Sequence, residues 1–152
     1  MRFDEQRLRR EARRGATLLL GRLVDGATDE QVERRFSASL AQRALFAAMA
    51  RSYAPNVEPR FEGRLVYVLE RPATEQAPVR WTIHVHEGRA TAYEGADSRP
   101  KLTVRFRLSD FVRIAAGKID AAEPLLSNRA SFEGDFALAA KLPEMFGAPR
   151  TY

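Results

Sequence analysis

His84 and His86 are the two histidines of the chain, and they stand two apart in the alternating run Arg80 to His86. In a strand that spacing projects both rings from one face, where they could share a metal ion. A stable centre needs at least a third ligand. The neighbours on that face are Thr82 and Arg80, and the guanidinium repels a cation, so no metal is expected. Catalysis by either ring would need a nucleophile or an orienting carboxylate beside it, and the sequence supplies neither. The chain has no cysteine, which removes a disulfide framework, thiolate ligation of zinc and a thiol nucleophile. No catalytic residue and no cofactor is assigned.

The other chemistry in the sequence is positive charge. The formal net charge is +5, carried by 22 arginines and only 3 lysines against 20 acids. It concentrates at the start, where Arg2, Arg7, Arg9, Arg10, Arg13 and Arg14 face only Asp4, Glu5 and Glu11. A basic helix of this kind can make transient contact with an anionic membrane, its leucines dipping inward. It can equally be a packed helix with its arginines in water. The stripe Leu8, Ala12, Ala16 is thin for insertion, so the packed helix is expected, with Leu8, Leu19 and Leu23 buried. Leu19→Ala would then cost about 2–4 kcal/mol. Nucleic acid is not expected, because the aromatics fall on apolar faces rather than among the arginines.

The elements that would position these groups are legible from periodicity. Leu8, Ala12, Ala16, Leu19 and Leu23 recur at helical spacing, and Gly26 ends that helix. Thr28 with Gln31 forms a capping box that opens a second helix, striped by Val32, Phe36, Leu40 and Ala44 and continued by Leu45, Met49 and Tyr53. Pro55 and Pro59 stop it. From Phe61 the period changes to two: Leu65, Tyr67 and Leu69 alternate with Arg64, Val66, Val68 and Glu70. Trp81, Ile83 and Val85 follow on one face of a second strand. Glu87-Gly88 is a two-residue hairpin turn into a third strand, Arg89 to Glu94. Leu102, Val104 and Phe106 make a fourth. Ser109 is the expected N-cap of a helix carrying Phe111, Val112 and Ile114. A second short helix bears Pro124, Leu125 and Leu126, and Asn128 turns the chain. A strand at Ala130 to Glu133 precedes a last helix begun by Gly134-Asp135. The fold class is α+β: four meandering strands, a helical crossover and a fifth strand.

Two stretches resemble the sterol carrier protein family, type two. The first is Trp81-Thr82-Ile83-His84-Val85-His86-Glu87-Gly88-Arg89, followed by Leu102-Thr103-Val104-Arg105-Phe106. The second runs from Gly117-Lys118 through Pro124-Leu125-Leu126-Ser127-Asn128-Arg129 to Gly134-Asp135 and Lys141-Leu142. It is similar to the family's closing pattern, with Asn128 where the family usually has glycine. The resemblance covers roughly residues 61 to 147 and rests on structural punctuation rather than on catalytic signatures. It implies a five-stranded, mostly antiparallel sheet with helices on one face, enclosing an apolar cavity for fatty acyl chains, acyl-CoA or sterols.

On that expectation the cavity would be lined by Leu65, Tyr67, Trp81, Ile83, Val104, Phe106, Phe111, Ile114, Leu125, Phe132, Phe136, Leu138, Leu142 and Phe146. Periodicity alone does not separate a lined cavity from a filled core. Arg105, Arg107 and Arg113 are candidates for a polar head at the mouth, and Leu138 to Phe146 is the candidate lid. Residues 1–55, with two helices, form an N-terminal extension packed on a lipid-binding domain at 56–152, one globular unit overall. The expected partner is a hydrophobic small molecule or lipid, including isoprenoids, bound without catalysis. A cofactor-independent enzyme acting on a hydrophobic intermediate and an interaction module with a filled cavity are the alternatives. With no signal-peptide pattern, a cytoplasmic location is expected.

Overall fold

The computed structural model describes residues 18–146. The arginines at positions 2 to 14, with Leu8, Ala12 and Ala16, lie outside the described residues. Helix α1 occupies residues 18–24 of the described chain. Leu20 and Val24 face the core, whereas Leu19 is 61% and Leu23 40% exposed. The expected burial of those two leucines is therefore corrected: the inward face of the helix is offset by one residue.

Helix α2 (Asp29–Phe36) begins with the expected capping box, in which Thr28 and Gln31 satisfy each other's backbone N–H groups. The single long helix read from the sequence is two. Ala38 is extended, at φ −71° and ψ 136°, and α3 (Ser39–Arg51) starts anew. Carbonyls freed by this break are taken up by a buried side chain: Gln42 Nε2 donates to Phe36 O at 3.0 Å and to Ser37 O at 3.2 Å. A broken helix that finds such partners avoids the cost of unsatisfied buried backbone.

Five strands follow: β1 (Gly63–Arg71), β2 (Gln76–His86), β3 (Arg89–Glu94), β4 (Leu102–Arg107) and β5 (Ser131–Gly134). Their order in the sheet is β3-β2-β1-β4-β5. The first three form an antiparallel meander; β4 then crosses to the far side of β1 and pairs with it in parallel, and β5 pairs antiparallel with β4. The fourth strand thus does not continue the meander. β1 becomes the central strand, with Leu65, Val66, Tyr67, Val68 and Leu69 all buried. On its outer face Thr82 of β2 donates to Gly95 O at 2.7 Å and accepts from Asp97 N at 3.2 Å, which folds the loop after β3 over the sheet. Glu87 (φ 50°) and Gly88 (φ 75°) make the expected hairpin turn.

Helix α4 (Leu108–Ala115) starts one residue before Ser109, with Arg107 at the cap and no side-chain cap bond. Ser109 is a buried helical residue and not the N-cap. α5 (Ala122–Leu126) ends at Asn128, which takes the left-handed conformation at φ 57°. Arg129 then reaches back to buried Asp110 at 3.1 Å. Gly134, at φ +119°, lies so close to β4 that a Cβ would stand 2.5 Å from Lys101 O. Asp135 caps α6 (Phe136–Met145) by accepting from Leu138 N.

Candidate functional site

The inner face of the sheet and the helices meet around one ring. Phe46 of α3 is fully buried. It stacks on Trp81 of β2 at 5.0 Å and 6° and on Phe111 of α4 at 5.3 Å and 16°. Tyr67 presents its edge to the same ring at 5.7 Å and tilts against Phe111 at 5.6 Å. The register explains the grouping: Tyr67 sits on β1 directly between Trp81 on β2 and Val104 on β4. Phe111 also meets Phe106 at 6.3 Å, and Phe106 meets Phe132 of β5 at 6.4 Å. The result is an aromatic row from β2 across to β5, capped by α3 and α4.

One polar thread fixes this row. Trp81 Nε1 donates to Gln42 Oε1 at 3.0 Å, so the same amide that satisfies the α2–α3 break also anchors the indole. The Tyr67 hydroxyl, by contrast, is buried with no hydrogen-bond partner among the described residues. Burial pushes its phenol far above the usual tyrosine range, because the phenolate would lose its hydration. That group can donate a hydrogen bond at neutral pH and is a poor base.

The sequence-predicted residues divide by place. Leu65, Tyr67, Trp81, Ile83, Val104, Phe106, Phe111, Leu138, Leu142 and Phe146 are buried in one cluster, and Ile114 and Phe132 are half-buried against it. Leu125 is half-buried. Phe136 is 68% exposed at the first position of α6, whose buried stripe is Leu138, Ala139, Leu142 and Met145. Arg105 lies on the outer face and pairs with Glu70 at 3.0 Å. Arg107 stands opposite Glu70 in the same outward row of the β1–β4 register. Arg113 bonds Asp29 and donates to Ala27 O at 3.1 Å. The Arg113 guanidinium holds the Asp29 carboxyl below the usual range, burial opposing it.

His84 and His86 are also on the outer face, their rings 5.9 Å apart. His86 Nδ1 meets Glu62 Oε2 at 2.8 Å, and the other carboxylate oxygen accepts from Glu87 N at 2.8 Å. That hydrogen bond and the adjacent charge raise the His86 pKa. Among the described residues no three His, Cys, Asp or Glu side chains are grouped as a metal site would need.

Sequence reasoning overlooked Phe46 and Gln42. The signal was present: 42, 45, 46 and 49 share one helical face, and a lone amide on an apolar face marks a position with a buried partner to satisfy. The candidate lid is tied down at its far end. Ala54 N donates to Met145 O at 2.7 Å, Ser52 Oγ to Phe146 O at 2.6 Å, and Tyr53 packs on Phe146 at 5.5 Å. Lys141 pairs with Glu58.

A model of the SCP-2 sterol transfer family matches residues 44–147. No curated protein sequence matches the chain. Among solved structures, palmitated SCP2L2 from Aedes aegypti is 18% identical, with a TM-score of 0.57, covering 72% of this chain and 97% of that one. Sterol carrier protein domain 2 of Helicoverpa armigera is 18% identical at a TM-score of 0.50, covering 65% and 80%. The stereoselective inverting sec-alkylsulfatase Pisa1 from Pseudomonas sp. is 20% identical at a TM-score of 0.56 over 73% of this chain. This chain spans only 16% of that sulfatase's length. At these identities the likeness is one of fold.

Proposed function

The chain belongs to the SCP-2 sterol transfer family, and on that premise we propose that it binds and transfers an apolar ligand between its sheet and helices, without catalysis. The ligand classes that fit are a fatty acyl chain, an acyl-CoA, a sterol-like lipid or an isoprenoid. Residues 29–51 contribute Val32, Phe36, Leu45 and Phe46 to the same core as the strands, which supports reading the helical extension and the lipid-binding part as one globular unit.

The observation that carries the proposal is the aromatic row at Phe46, Tyr67, Trp81, Phe111, Phe106 and Phe132. It is a continuous apolar interior, ring packed on ring, in which the buried Tyr67 hydroxyl has no hydrogen-bond partner among the described residues. Burying an alkyl chain there contributes about 0.8 kcal/mol per methylene, so ~10 methylenes give roughly 8 kcal/mol before the cost of association. The cost of association reduces this, so exchangeable binding at about micromolar Kd or weaker is expected without special polar chemistry. A cofactor-independent enzyme that begins by abstracting a proton would require a base at this place. The buried phenol of Tyr67, kept protonated by desolvation, favours binding over proton abstraction.

Trp81 is the single tryptophan and lies in the row, so it reports on occupancy. Titration with cis-parinaric acid should quench Trp81 emission saturably by energy transfer. Native mass spectrometry of protein isolated from a cell extract should show a co-purifying mass of lipid size. Absence of saturable quenching by the fatty acid, and by a fluorescent sterol, would refute the carrier reading.

A further inference from the structure

Two buried hydroxyls, those of Tyr67 and Ser109, lack a hydrogen-bond partner among the described residues, and that of Tyr67 lies in the aromatic row between sheet and helices. Phenylalanine would make the same ring contacts with Phe46 and Phe111, and it would spare the free energy of stripping water from a hydroxyl that gains no partner. Tyr67 is 2% exposed, and its hydroxyl has no hydrogen-bond partner among the described residues. We propose that this hydroxyl is the recognition group for an uncharged lipid that enters with its one oxygen-bearing end, an alcohol or carbonyl, directed inward to Tyr67. This rests on the carrier reading and narrows its ligand class.

Charge separates this class from fatty acid anions. The aromatic rings in contact with Tyr67 are Phe46 and Phe111; of the three candidate head-group arginines two are paired elsewhere, and Arg107 stands in the outward row opposite Glu70. Arg105 pairs with Glu70 on the outer face of the sheet, and Arg113 with Asp29. A carboxylate brought to Tyr67 would be a buried charge without a counter-ion, which is far more costly than a buried hydroxyl. A neutral oxygen accepts the phenolic hydrogen and leaves neither group unpaired. An acid must therefore keep its head at the protein surface, with only its chain inside. The Trp81 indole does not compete for the ligand oxygen, because Gln42 already occupies its N–H.

The test compares wild type with Tyr67→Phe against three probes of equal chain length, 1-decanol, decane and decanoate at neutral pH, followed by Trp81 emission. Tyr67→Phe should weaken decanol binding about tenfold, equivalent to about 1.4 kcal/mol. Decane and decanoate should bind both proteins within about twofold. Without ligand, Tyr67→Phe should melt at or above the wild-type temperature, because no protein partner is lost. Unchanged decanol affinity, an equal loss for all three probes, or a lowered melting temperature of the free variant would each overturn this inference alone. If wild type binds none of the probes, the carrier reading fails and this inference with it, so the two failures are distinguishable.

Discussion

Phe46→Ala tests whether the helices are seated on the sheet through one ring. The side chain is fully buried and has three aromatic neighbours at 5.0 to 5.7 Å. Truncating a buried phenylalanine costs about 3–5 kcal/mol. Two stacked partners, each worth about 0.5–1.5 kcal/mol beyond area, place this one toward the upper end, about 4 kcal/mol. For a chain of 152 residues, that corresponds to a fall in Tm of about 8–16 °C. A domain of ordinary stability, about 5–15 kcal/mol, would still fold. Urea melts followed by far-UV circular dichroism and by Trp81 emission give the loss, and the emission baseline should shift because the indole loses its stacked neighbour. The void left behind is apolar, so decane should restore more stability to the variant than to wild type. A loss below about 1 kcal/mol, with an unchanged Trp81 spectrum, would refute this packing and with it the assignment of Phe46 as the centre of the interior.

Three further outcomes are expected. Leu19→Ala should change stability by no more than about 0.5 kcal/mol, as exposed sites do, whereas Val24→Ala, on the inward face of the same helix and 4% exposed, should cost about 1.5–3 kcal/mol in a denaturant melt; equal costs would contradict the orientation of α1. Gly134→Ala combines a left-handed backbone with a clash against Lys101 O and should destabilise by about 2 kcal/mol or more, read as a lowered urea midpoint. His86 has a folded-state pKa raised by Glu62, so its stabilising contribution is complete below the unfolded value near 6.5 and is lost as pH rises through the folded value; the small Tm advantage of wild type over His86→Gln should be present at about pH 5.5 and gone by about pH 8.5, and should shrink in salt. An advantage that grew with pH would contradict the His86–Glu62 pairing.

Local structure is legible in the order of the residues. Strict alternation over Leu102 to Arg107 sets one strand with those bounds, and the turn at Glu87-Gly88 sets the start of another, Arg89 to Glu94. Thr28 with Gln31, Glu87-Gly88 and Gly134-Asp135 mark where elements begin and turn, because each solves a backbone problem within a few residues. Partner choice is different in kind. That β4 lies beside β1, in parallel, follows from burying both faces of the run Leu65 to Leu69 at once, and the unbroken apolar stretch is the signal that a reading by alternation passes over. The outward direction of Arg105 follows from that pairing. The split between α2 and α3 depends on Gln42 reaching both the freed carbonyls and Trp81, a bond across 39 residues that no local pattern encodes. Leu19 shows the same limit from the other side: helical spacing fixes which residues share a face, but only the neighbours of the helix decide which face turns inward. The unpaired Tyr67 hydroxyl is a property of its surroundings, since a tyrosine's partners are set by what the assembled core brings within reach of its oxygen.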